Sequence, residues 1–332
     1  MSYVHQLVIK HGHQAAREMV STKHERLCVD IAAEIMAEES ERLGITHSGF
    51  CLTALPHKKP LLSKESETEA DTWRREGHKV TLVVRSGTDR HGQIIGIPYG
   101  SRARMILLYL QTKALQANSP IVELGRSMND WLDRMGIGDK AEAGHAEATP
   151  KTNRRAGGNT YAQVRKQAHR ISSCALSFFW SGDEVEARQN GYFVRNEINV
   201  RRATEASQGD FWRDTVELDP VFFEALKRHP VPLWEPALRR ISGKSQAIDI
   251  YLWLAYRLQH IDKPTPISWI SLHKQFGSGV SELKHFKQDF IRNLQLALAV
   301  YPEARVQEDD KRGFILQPSL PAIPRLRKVI GR

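Results

Sequence analysis

Ser101-Arg-Ala-Arg-Met-Ile-Leu-Leu-Tyr-Leu110 and Ser245-Gln-Ala-Ile-Asp-Ile-Tyr-Leu-Trp-Leu254 agree at five of ten positions: Ser101/Ser245, Ala103/Ala247, Ile106/Ile250, Leu108/Leu252 and Leu110/Leu254. The segments downstream of the two stretches also correspond. A Pro-Ile start of an extended segment comes next, at Pro120-Ile121 and Pro266-Ile267. A short helix ending in glycine comes second, Asp130 to Gly136 and Ser271 to Gly277, where glycine suits a left-handed C-cap. A longer helix comes third, with inward positions Tyr161, Val164, Ala168, Ile171 and Ala175 in one copy and Leu283, Phe286, Phe290, Asn293 or Leu294, and Ala297 in the other. Each copy closes in a hairpin, Leu176–Trp180 to Gly191–Val194 and Ala304–Gln307 to Gly313–Leu316. Helix, short strand, helix, helix, hairpin is the order of a winged helix. The expected fold class is therefore α+β, mainly α: two tandem winged-helix domains with β-hairpin wings, plus an N-terminal helical segment.

Outward from this repeat, Lys23 to Leu43 reads as an amphipathic helix with Leu27, Ile31 and Ile35 on its apolar stripe. Ser63 to Asp71 is acidic and lacks large apolar residues, as a solvated loop does. Lys79–Arg85 reads as a strand turning through Ser86-Gly87 into Ile94–Pro98. Asp219-Pro220 opens a helix with an N-cap and a proline at its first position. The expected organisation is an N-terminal helical segment and acidic loop at 1–72, a first winged-helix domain at 73–205, a second at 206–318 and a basic tail at 319–332. The polar stretch 201–210 marks the divide.

Forty-eight Lys and Arg against 38 Asp and Glu give a formal charge of +10, which makes a polyanion the first partner to consider. The three cysteines, Cys28, Cys51 and Cys174, are too dispersed for a disulfide framework or a metal knuckle. With no apolar run near the ~18 residues of a membrane span and no secretory signal pattern, a cytoplasmic protein is expected.

Lys151 to Arg170 holds six Lys or Arg and no acid, and leads into the third helix of the first copy. Arg154, Arg155, Arg165, Lys166, His169 and Arg170 are the candidate DNA contacts there, with Gln163 and Ser173 on the same expected outward face. In the second copy Lys284, Lys287, Gln288 and Arg292 are the candidates, beside Ile291 and Gln295. Lys or Arg reads guanine, Gln reads adenine and Ile meets a thymine methyl. The tail from Pro324 has four basic residues and no acid, and either follows a phosphate backbone or is disordered.

Other chemistry fits poorly. Gly243-Lys244-Ser245 lacks the earlier glycine of a phosphate loop, and Ser101 and Ser245 read instead as helix N-caps. His11-Gly-His13 has the outline of a metal-binding pair of a nicking enzyme, with Tyr161 as its nucleophile, but Gly12 in a polar run does not suit a strand. Trp131, Trp253 and Trp269 lie on apolar faces and read as core. No cofactor, metal site or catalytic residue is expected.

Gly49-Phe-Cys-Leu-Thr-Ala-Leu-Pro-His-Lys58, the Ile-Pro-Tyr-Gly-Ser block from Ile97, Val122-Glu-Leu-Gly-Arg-Ser127 and Arg165-Lys-Gln-Ala-His-Arg170 resemble the plasmid-encoded RepA family of bacterial replication initiators. The resemblance covers roughly residues 47 to 200. It implies tandem winged helices that bind repeated sites in a plasmid origin, open the adjacent duplex and recruit host replication proteins, with the second module as principal reader and no catalytic residue. Ile97-Pro98-Tyr99 reads as architecture at the entry to the first helix. Double-stranded origin DNA and a host initiator or helicase are the expected partners, a homodimer is left open, and no membrane is involved. A plasmid-borne repressor with the same fold is the alternative, and an origin-nicking enzyme the more distant one.

Overall fold

The computed structural model describes residues 1–63, 66–124, 158–181, 186–195, 215–277, 282–309 and 312–323. The chain is mixed α/β. It opens with α1 (Tyr3–His11), α2 (His13–Glu18) and α3 (Lys23–Met36). A reciprocal cap starts α3: the Thr22 hydroxyl accepts from Glu25 N, and the Glu25 carboxylate accepts from Thr22 N. The apolar stripe holds, since Ile31 and Ile35 are buried and Leu27 packs on the core. The helix nevertheless ends at Met36, not Leu43, because Leu43–His47 is a strand, β1. Its partner, β8 (Pro230–Trp234), lies far along the chain. Nothing in the local periodicity announces that pairing.

The second copy runs α9 (Ser245–Arg257), β9 (Thr265–Ser268), α10 (Trp269–Phe276), α11 (Leu283–Ala299), β10 (Arg305–Asp309) and β11 (Gly313–Gln317). Its strand β9 joins the hairpin in a sheet of order β10-β11-β9. Trp269, Phe276, Phe286, Phe290 and Phe314 meet at ring distances of 5.0–6.5 Å beneath α11. Such tilted and edge-on contacts add to simple burial. Leu283 departs from its expected inward position and is 38% exposed. Gly277 is not left-handed, with φ −81°.

The first copy runs α5 (Gly100–Ala117), β4 (Ile121–Glu123), α6 (Gly158–Ser173) and the hairpin β5 (Ala175–Ser181) and β6 (Glu186–Tyr192). Here the two copies diverge. The hairpin pairs with β3 (Val80–Arg85), itself paired with β2 (Thr72–Glu76), in the order β2-β3-β5-β6. Strand β4 pairs instead with β7 (Thr215–Glu217). The hairpin expected from Lys79–Arg85 to Ile94–Pro98 is thus replaced by β2–β3, and only Thr88 and Ile94 bridge within the segment after β3. The expected short helix Asp130 to Gly136, Trp131 and the 201–210 divide lie outside the described residues.

Between the copies sit α4 (Ser48–Leu52), α7 (Pro220–Arg228) and α8 (Glu235–Arg240). Asp219 caps α7 as expected, accepting from Val221 N and Phe222 N. Ser101 and Ser245 do not cap: Tyr99 and Lys244 hold the N-cap positions. The Ser245 hydroxyl bonds His57 Nδ1 at 3.1 Å instead. One apolar cluster runs through both copies, including Trp253 and Trp269. Within it Arg104 of α5 meets Asp249 of α9, both 4% exposed, through two N–H···O bonds of 2.6 Å. Its remaining donors go to the carbonyls of Leu55, Pro56 and Gly100. The Leu55 and Pro56 carbonyls thus hold the buried guanidinium where the two repeats meet.

Candidate nucleic-acid interface

In α6 the residues Val164, Ala168 and Ile171 face the core, while Gln163, Lys166 and His169 are exposed. Arg165 is half-buried, and its Nε and Nη2 are shielded from solvent with no hydrogen-bond partner among the described residues. Arg154 and Arg155 lie outside the described residues.

Arg170 corrects the expectation. At 1% exposure it cannot reach DNA. Its guanidinium donates to the Ile97 carbonyl at 2.8 Å, pairs with Glu69 at 2.6 Å and lies 5.1 Å over the Tyr99 ring. At 100° per residue position 170 lies about 40° from Lys166, so helical spacing alone leaves it beside that exposed lysine, and its burial comes from the residues packed over it. Gln167 is part of the same clamp, its Oε1 accepting from Tyr99 N at 2.8 Å. Gly96, with φ +98°, sits so close to Glu69 and Arg170 that a Cβ would collide with both. Much of the Ile-Pro-Tyr block thus anchors the base of α6 rather than touching a ligand.

In α11, Phe286, Phe290, Leu294 and Ala297 are buried, and Lys284, Gln288, Arg292 and Gln295 are exposed on one side. Lys287 is half-buried, its ammonium 5.0 Å over the Trp269 ring. Ile291 packs partly onto the core. One neighbour escaped the sequence reading. His24 of α3 hydrogen-bonds the Gln295 side chain and the Arg292 backbone, and burial, then the Arg292 charge, hold its pKa below the ordinary imidazole value. The N-terminal helices are therefore seated on the C-terminal half of α11, an attachment also made by His5 Nε2, 3.0 Å from the Ala299 carbonyl. No spacing rule pairs residue 24 with residue 295.

His11 ends α1, Gly12 turns at φ +78°, and His13 pairs with Asp30 at 2.7 Å. All three cysteines are buried and free, and burial raises the Cys28 and Cys174 thiols to about 12. Among the described residues no three His, Cys, Asp or Glu are grouped to hold a metal, and no helix is long and apolar enough to cross a membrane.

The family model described as plasmid encoded RepA protein matches residues 97–270, more than half of the chain, and the chain belongs to that family of replication initiators. Among solved structures, the crystal structure of SeMet derivatives of domain 2 and domain 3 of RctB matches 81% of this chain and 96% of that one, at 14% identity and a TM-score of 0.47. A second structure of RctB domains 2-3 matches 80% and 93%, at 15% identity and 0.45. No curated protein matches the chain in sequence.

Proposed function

We propose that each copy works as a winged helix, that α6 and α11 are its DNA-facing helices, and that the protein binds repeated sites in a plasmid origin as a non-enzymatic initiator. The carrying observation is α11: one face is locked into an aromatic cluster while Lys284, Gln288 and Arg292 line the other, with Asp289 its only acid. That face offers donors for guanine and a donor–acceptor amide for adenine. On this reading α6 contributes mainly phosphate contacts through Lys166 and Arg165, and two readers in one chain can occupy successive major grooves ~34 Å apart. Origin opening and recruitment of host replication proteins accompany initiator membership and are part of the proposal, as is an optional homodimer.

The test is footprinting on the parent plasmid together with binding across a salt series. A ladder of protected direct repeats beside an AT-rich segment, with a slope of log K on log salt of roughly −5 or steeper, supports initiation. A single protected operator favours the repressor reading instead. A nicked, protein-linked circle formed with Mg²⁺ or Mn²⁺ overturns the non-enzymatic one.

A further inference from the structure

The chain between β3 and α5 forms a small, well-braced basic tip. Asp89 N donates to the Gln93 carbonyl at 2.9 Å and Gly92 N to the Asp89 carbonyl at 3.0 Å. The Asp89 carboxylate accepts from the backbone N–H of His91 and of Gln93, at 2.8 and 2.9 Å. Gly92, at φ +76°, closes the turn in a region other residues avoid. The one acid of the tip is thereby spent on its own backbone, leaving Arg90, His91 and Gln93 exposed. Arg90 Nε donates to His91 Nε2 at 3.0 Å, which orients the guanidinium and leaves its Nη groups free of protein acceptors among the described residues.

This tip stands beside α6. Arg90, His91 and Ile95 on one side, and His169, Ser172 and Ser173 on the other, line an open groove of about 560 Å³. A small-molecule site would be enclosed and mostly apolar. An open trough with a pre-oriented guanidinium at its rim matches an extended anionic chain, since the planar fork of arginine suits phosphate oxygens in pairs.

We propose that the 88–94 tip is a second DNA-contacting element of the first module, with Arg90 gripping a backbone phosphate of the duplex engaged by α6. The inference rests on the function proposed above. One phosphate contact contributes about 0.9 to the salt slope, which corresponds to about eightfold in affinity at 0.1 M salt. The experiment compares wild type, Arg90→Ala, Arg90→Lys and Lys166→Ala on origin duplex across a salt series, with phosphate-ethylation interference as the positional readout. Arg90→Ala is expected to bind about eightfold more weakly at 0.1 M salt, to flatten the slope by about one contact and to lose an interference position distinct from that of Lys166→Ala. Arg90→Lys is expected to keep the slope. Wild-type slope and interference in Arg90→Ala, beside a flattened slope in Lys166→Ala, overturn this inference and leave the proposed function standing. Absence of duplex binding by the wild-type protein overturns both. Because Arg90 is exposed, all variants should melt with wild type.

Discussion

Replacing Asp249 by Ala removes the carboxylate that faces Arg104 across the two copies. Both residues are 4% exposed, so solvent cannot take over the role of either. Arg104 would keep its bonds to the Leu55, Pro56 and Gly100 carbonyls but lose two charge-assisted bonds of 2.6 Å. Breaking a buried pair by removing one member costs about 3–5 kcal/mol, because the remaining charge stays buried. That is a large part of the 5–15 kcal/mol typical of a folded protein. The double variant Arg104→Met/Asp249→Leu removes both charges. It removes one donor each from the Leu55, Pro56 and Gly100 carbonyls, at about 1 kcal/mol each or less since Pro56 keeps Gly100 N at 3.0 Å, while recovering apolar packing. It should therefore be more stable than Asp249→Ala, and a full cycle on Arg104→Ala and Asp249→Ala should show a coupling of at least about 2 kcal/mol. Equilibrium urea unfolding followed by fluorescence of the seven tryptophans measures this. An Asp249→Ala variant within 1 kcal/mol of wild type, or additive single variants, would refute the idea that this pair holds the copies together.

Arg170→Ala should lower stability by about 1–3 kcal/mol, because the Ile97 carbonyl loses its donor while Glu69 keeps Lys59 at 3.1 Å, and should leave the salt slope of DNA binding unchanged; a slope flattened with no loss of stability would restore Arg170 as a phosphate contact. Lys287→Ala and Arg292→Ala should each cost about 1–3 kcal/mol on the specific site and less on scrambled DNA, whereas Lys166→Ala should weaken both alike. Competition binding at matched salt decides, and the reverse pattern would make the first module the reader. His47 is buried against Phe178 and Phe222, and burial, then the nearby His229, push its pKa down to about 3. The unfolded chain, titrating near 6.5, binds the extra proton between those values, so stability should fall as pH drops from about 6.5 toward 3, by up to about 1.4 kcal/mol per unit from this residue. His47→Asn retains an acceptor for Gly49 N and should make that acid limb shallower; an unchanged limb in urea titrations would remove His47 as a source.

The sequence alone located the two long basic helices and the hairpins that follow them, because apolar periodicity and turn residues are local properties of the chain. It placed Phe286, Phe290 and Ala297 inside and Lys284, Gln288 and Arg292 outside, since 3.6-residue spacing divides a long helix into two faces. It misjudged Arg170, where charge suggested solvent and only the neighbours Glu69, Ile97 and Tyr99 make burial tolerable. The tertiary structure alone decided which strand covers which: β1 with β8, β4 with β7, and β3 rather than β4 beside the first hairpin. It also seated α3 on α11 and Arg104 on Asp249. Periodicity records that a face needs a partner. Which distant segment fills it depends on shape, charge and hydrogen-bonding complementarity that exist only once the chain has closed on itself.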